Sequence, residues 1–86
     1  MKTEAILIQV LEDVIGVKNV TPETRFPDIG GNSLNLVEVL KQMKAKVGIT
    51  PPPRQFFDRT RSSVAELAAA TDALREASRN TADAAS

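Results

Sequence analysis

The residues of this chain that could support chemistry are few, and they lie together in Asp28-Ile29-Gly30-Gly31-Asn32-Ser33-Leu34. Two adjacent glycines let the backbone take positive φ and bring main-chain atoms close to an attached group. Ser33 follows them at the start of an apolar-periodic segment, where the free N–H groups and positive dipole end of a helix favour an anion, phosphate above all. A hydroxyl exposed at such a point, at the end of a loop, is suited to esterification by another enzyme. The same residues also read as a plain turn followed by a helix cap, with Asn32 or Ser33 as the capping side chain.

Composition removes most other chemistry. The 86 residues include no Cys and no His, which excludes thiolate nucleophiles, imidazole bases, disulfides and the usual zinc or haem ligands together. A serine nucleophile of its own lacks a base beside the motif, so no catalytic residue is expected and the chain reads as a non-enzyme. A nucleotide loop is excluded too, because no Gly-Lys-Ser/Thr ending and no preceding strand accompany the glycines. Eleven Lys and Arg balance eleven Asp and Glu, and a chain without a single-sign surplus is not expected to bind nucleic acid. No apolar run approaches a membrane span, and the opening Met1-Lys2-Thr3-Glu4 has no signal-peptide pattern, so a cytoplasmic location is the expectation.

The elements that must position Ser33 follow from periodicity. Leu7, Val10, Leu11 and Val14 recur at i, i+3, i+4 and i+7, with Ile6 and Ile15 widening the stripe, and predict a first helix from about Thr3 to Ile15. Thr3 is the expected N-cap and Gly16 the expected C-cap. Residues 17–32 are broken by Thr21-Pro22, Phe26-Pro27 and Gly30-Gly31 into a long loop, pinned to the core by Val20, Phe26 and Ile29. A second helix from Ser33 or Leu34 to Val47, stopped by Gly48, buries Leu36, Val39, Leu40, Met43 and Val47. Pro51-Pro52-Pro53 forces extended chain, after which Arg54-Gln55-Phe56-Phe57-Asp58 has room for a short third helix that drops one or both Phe inward. Ser62 or Ser63 caps a last helix with Val64, Leu67, Ala68, Thr71 and Leu74 on its inner stripe. The expected fold is all-α, an irregular four-helix bundle with one domain over residues 1–76 and a disordered tail over residues 77–86.

With these surroundings the motif resembles the phosphopantetheine carrier proteins, specifically the peptidyl carriers of nonribosomal peptide synthesis. The resemblance covers about residues 4–74. Its most specific part, Gly30-Gly31-Asn32-Ser33-Leu34, is similar to the Gly-Gly-x-Ser-Leu signature of peptidyl carriers, where fatty-acid carriers more typically place Asp before the serine. Thr21-Pro22-Glu23-Thr24, Phe56-Phe57-Asp58 and Val64-Ala65-Glu66-Leu67-Ala68 add to it. The chain departs from the pattern at Pro27, Asn32 and Pro51 and in the longer segment from Arg59 to Ser63. The resemblance implies that Ser33 receives a 4'-phosphopantetheine arm from coenzyme A, with Gly30, Gly31, Asn32 and Leu34 shaping the attachment site.

It also implies partners: a phosphopantetheinyl transferase, an adenylating enzyme that loads the arm, and condensation or other downstream enzymes of antibiotic-type peptide biosynthesis. At about 100° per residue the core stripe of the second helix leaves Leu34, Val37 and Lys41 on the opposite or flanking side, which fits a shallow docking face for such enzymes. Lys41, Lys44 and Lys46 against Glu38 make this helix basic, unlike the acidic second helix of fatty-acid carriers. The expectation is a monomeric, discrete carrier of an aminoacyl or peptidyl thioester. The alternatives are a carrier of a polyketide or aryl acid, and an unmodified helical interaction module whose serine is only a cap.

Overall fold

The computed structural model describes the backbone of residues 2–85 and the side chains of residues 3–77. Three α-helices form: α1 (Lys2–Ile15), α2 (Ser33–Val47) and α3 (Val64–Ala85). Two 3-10 turns, Phe26–Ile29 and Pro53–Phe57, lie in the connections. Among the described residues no strand forms, and an isolated antiparallel bridge joins Arg25 to Ser63.

α1 packs against both α2 and α3 and is the spine of the core. Leu7, Val10 and Leu11 are fully buried, while Ile6, Val14 and Ile15 line the cluster from its edge. Burying each such side chain contributes about 1.5–3 kcal/mol. Gly16 ends the helix at φ 80°, its N–H donating to the Glu12 carbonyl at 2.9 Å. Thr3 is not the N-cap. The helix starts one residue before it, and the buried Thr3 hydroxyl donates instead to Asp72 Oδ1 on α3 at 2.6 Å.

α2 carries the expected stripe, with Leu36, Val39 and Met43 buried and Leu40 and Val47 partly so. Gly48, at φ 92°, closes it through an N–H bond to the Lys44 carbonyl. The short third helix is realised as the 3-10 turn Pro53–Phe57. The reason is local: three prolines withhold donors on one side, and on the other the Asp58 carboxylate captures the Thr60 and Arg61 N–H groups. Five residues are too few to offset the cost of nucleating an α-helix. Phe56 is buried beneath this turn and Phe57 stays 45% exposed.

The start of α3 is tied to the loop. A helix leaves its first four N–H groups without intrahelical acceptors. Here Val64 N–H donates to the Thr24 carbonyl, Ala65 N–H to the Pro22 carbonyl, both at 2.9 Å, and Glu66 N–H to Ser63 Oγ at 3.3 Å. Ser63 is therefore the cap, and the neighbouring Ser62 is fully buried with its hydroxyl unpartnered. Val64, Leu67, Ala68 and Thr71 face inward as expected, and the Thr71 hydroxyl donates to the Leu67 carbonyl. Leu74 does not: it is 39% exposed. The Thr3–Asp72 bond ties α3 to the beginning of α1, and Leu74 lies two positions beyond it. The backbone helix continues through the expected boundary at residue 76 to Ala85; side chains from residue 78 on, within the segment expected as a tail, lie outside the described residues.

Candidate functional site

The loop before Ser33 is built on Phe26. Its ring is fully buried, edge-on to Phe56 at 5.0 Å and to Phe57 at 5.6 Å between centroids. The 3-10 turn that begins with Phe26 ends at Gly30, where φ is 85°, a left-handed conformation that costs glycine little. Gly31 serves a different need. A Cβ there would lie 2.6 Å from both the Phe26 ring and the Phe26 carbonyl oxygen, so the missing side chain is what lets the chain close over the ring. The second glycine thus answers to the core beneath it, in addition to any group that Ser33 carries.

Asn32 is the N-cap of α2. Its side-chain oxygen accepts the Asn35 N–H at 2.9 Å and its carbonyl accepts the Leu36 N–H at 2.9 Å. Ser33, the first helical residue, is exposed and its hydroxyl has no partner among the described residues. Capping is therefore done by the neighbour. The Ser33 and Leu34 N–H groups likewise find no acceptor among the described residues. The first turn of α2 holds no acidic residue, and Lys44 and Lys46 occupy its last turn. The positive end of the helix dipole is left uncompensated beside Ser33, the arrangement that favours an attached anion.

The remaining expected site residues lie where periodicity put them. Leu34 is 84% and Val37 59% exposed, with Lys41 exposed on the same side. Sequence reasoning did not place Phe57 near the site, although its ring joins the Phe26 cluster to the surface. The only sequence signal was the adjacent Phe56, since consecutive residues in a tight turn point to different sides. The groove lined by Ala5, Ile6, Gln9 and Lys46, about 290 Å³ in volume, contains no residue of this site.

A family model described as "Phosphopantetheine attachment site" matches residues 5–71, most of the chain. The chain belongs to that family. Carrier domains of this family are themselves non-catalytic. Curated relatives include a linear gramicidin synthase of Brevibacillus parabrevis, 33% identical over 72 residues, or 84% of this chain. Bacitracin synthase 3 of Bacillus licheniformis is 32% identical over 66% of this chain. A phenolphthiocerol synthesis polyketide synthase of Mycobacterium bovis is 42% identical over 60% of it. The chain spans only 1% to 2% of the length of these relatives. No solved structure is a significant match. The cofactor of the family is the phosphopantetheine arm, and the residues present fit it. A free exposed hydroxyl, two unclaimed N–H groups and a first turn without a carboxylate suit an attached phosphate. Among the described residues no helix is long and apolar enough to cross a membrane.

Proposed function

We propose that this carrier holds its arm on Ser33 and works in nonribosomal peptide synthesis, carrying an aminoacyl or peptidyl group. The observation that supports Ser33 most is the division of labour at the start of α2: Asn32 caps the helix, which frees the Ser33 hydroxyl for a transferase. When attached, phosphopantetheine supplies the thiol that the chain lacks, and on it an acyl group is held as a thioester. The protein's own residues contribute position and reach. Gly30 and Gly31 seat the loop on Phe26, the dipole and the N–H groups of Ser33 and Leu34 stabilise the phosphodiester charge, and tethering raises the effective concentration of the cargo.

The partners in this reading are a phosphopantetheinyl transferase, an adenylating enzyme and a condensation or other downstream enzyme. They dock on the outer face of α2 through Leu34, Val37 and Lys41, apolar and cationic groups that need a complex to cover them. A shallow contact of this kind suits a shuttle that must dissociate quickly. The peptidyl assignment rests on the Gly-Gly-x-Ser-Leu motif, the basic α2 and the broad match to the gramicidin synthase. A polyketide cargo is the second reading, favoured by the 42% identity to the polyketide synthase. Neither reading gives the chain a catalytic step of its own.

Two measurements test this. Intact mass after incubation with coenzyme A and a broad-specificity transferase shows one added arm on wild type and none on Ser33→Ala, with peptide mapping placing it at Ser33. Modification of the variant, or mapping to another serine, overturns the assignment. The holo protein is then offered to a panel of adenylating enzymes with amino acids and to acyltransferases with malonyl or aryl donors. Charging only by the acyltransferases replaces the peptidyl reading by the second one.

A further inference from the structure

The balanced total charge conceals a segregation along the chain. Residues 33–61 carry six cations, Lys41, Lys44, Lys46, Arg54, Arg59 and Arg61, against two acids, Glu38 and Asp58. The residues before them carry three cations against five acids, and those after them two against four. All six cationic side chains of the middle segment are exposed. None is in an ion pair; among the described residues the ion pair is Arg75 with Asp72. Asp58 is occupied locally, its Oδ1 accepting the Thr60 N–H, the Thr60 hydroxyl and the Arg61 N–H, with its carboxyl held below the usual range by those bonds.

The fold divides these cations between α2 and the turn that packs beside the loop before Ser33. Ser33, Val37, Lys41 and Lys44 recur at i, i+4, i+8 and i+11, which puts them on one side of α2. Lys46 falls on the other flank, beside Ala5, Ile6 and Gln9. On the loop side of Ser33, the turn bearing Arg54 and Phe57 packs on the turn that ends at Gly30, and Arg59 and Arg61 follow it directly. A half-exposed Phe flanked in sequence by exposed, unpaired Arg54 and Arg59 has the composition of a protein-binding surface, where aromatic residues and Arg are enriched.

We propose that Arg54, Phe57, Arg59 and Arg61 form a second recognition surface, next to the turn that leads into Ser33, and that the enzyme loading this carrier meets it with an acidic face. Six surface cations against two acids within 29 residues of a neutral chain fit a carboxylate-bearing partner, which steers encounter and fixes orientation. A nucleic-acid partner is less suited: the acids on either side and in the neighbouring helices leave no sustained basic face for a phosphate backbone.

The proposal rests on the carrier reading, and the experiment separates the two. The triple variant Arg54→Glu, Arg59→Glu, Arg61→Glu is first converted to holo protein; complete conversion, with mapping to Ser33, keeps the carrier reading intact whatever follows. Charging by the adenylating or acyltransferase enzyme that loads wild type is then measured as a function of carrier concentration and salt. The expected result is a loss of about tenfold or more in kcat/KM at low salt, carried by KM, with wild type losing rate as salt rises. Neutral Gln at the same three positions falls in between, and Lys18→Glu, outside the surface, charges like wild type. Matching melting midpoints exclude unfolding as the cause. Equal charging of the triple variant, or a wild-type rate indifferent to salt, overturns the proposal. Tight binding of a short DNA duplex that is lost in the triple variant also overturns it and assigns the surface to nucleic acid.

Discussion

The loop that closes over Phe26 and the helix that begins at Ser33 meet at one residue, Asn32, and are built on opposite terms. The loop is closed: Phe26 is 0% exposed, Gly31 touches its ring and carbonyl, and Phe26 N–H is bonded to the Ser62 carbonyl. The outer face of α2 is open, with Leu34 84% exposed and its neighbours Val37 and Lys41 turned to solvent. The contrast suggests a seat and a handle. A hydroxyl that another enzyme must reach is best fixed by packing on the side away from that enzyme, so that nothing on the approach side has to move.

The comparison breaks most sharply at Phe26. Phe26→Ala removes the ring on which the turn, Phe56 and Phe57 all pack, and is expected to cost about 3–5 kcal/mol in chemical denaturation. An unchanged midpoint would show that the loop is not seated as described. Gly31→Ala comes next, at about 1–3 kcal/mol, because its Cβ meets backbone as well as ring and the chain must shift to admit it. Asn32→Ala, at the junction, is expected to lose about 1 kcal/mol from the cap while the arm still attaches to Ser33. Loss of attachment at full stability would instead give Asn32 a direct role toward the transferase.

On the open side the expected change in stability is small. Val37→Asp places a charge where water already reaches, so its stability stays within about 0.5 kcal/mol of wild type while charging of the holo protein falls. A strongly lowered midpoint would move Val37 into the closed region and remove it from docking. The smallest effect concerns pH. The Asp58 carboxyl is held below its ordinary value of 3.8, chiefly by the Thr60 N–H and hydroxyl. A carboxyl whose value is lower in the folded chain contributes stability above its unfolded value and loses it as pH falls through the folded one. Wild type and Asp58→Asn should therefore differ at neutral pH and converge in acid below 3.8. A difference that grows on acidification contradicts the assignment.

Legibility from the sequence divided along the same line. The stripes of α1 and α2, the stops at Gly16 and Gly48, the anchoring by Val20 and Phe26, and the exposure of Leu34 and Val37 were all available from spacing and turn chemistry. The 3-10 form of residues 53–57 was half visible: the prolines limited the helix, but the competing bonds to Asp58 were not apparent. Thr3 and Leu74 were misplaced for one shared reason. Local rules assign a cap and an inner stripe without knowing that α1 begins opposite Asp72.

The sequence by itself determined the three α-helices in outline, the serine motif at the start of α2 and the lack of Cys and His, because these depend on residue type and on periods of a few positions. Tertiary structure decided which side chain caps α2, why the second glycine is required, how the loop carbonyls complete the start of α3, and that the Arg-bearing turn adjoins the turn before Ser33. The bonds at the start of α3 join residues 40 and 43 positions apart, Thr24 with Val64 and Pro22 with Ala65, and the Thr3–Asp72 bond spans 69. A bond between distant positions forms only after helices have packed, and packing is set by the shape of the whole core rather than by any local run of residues.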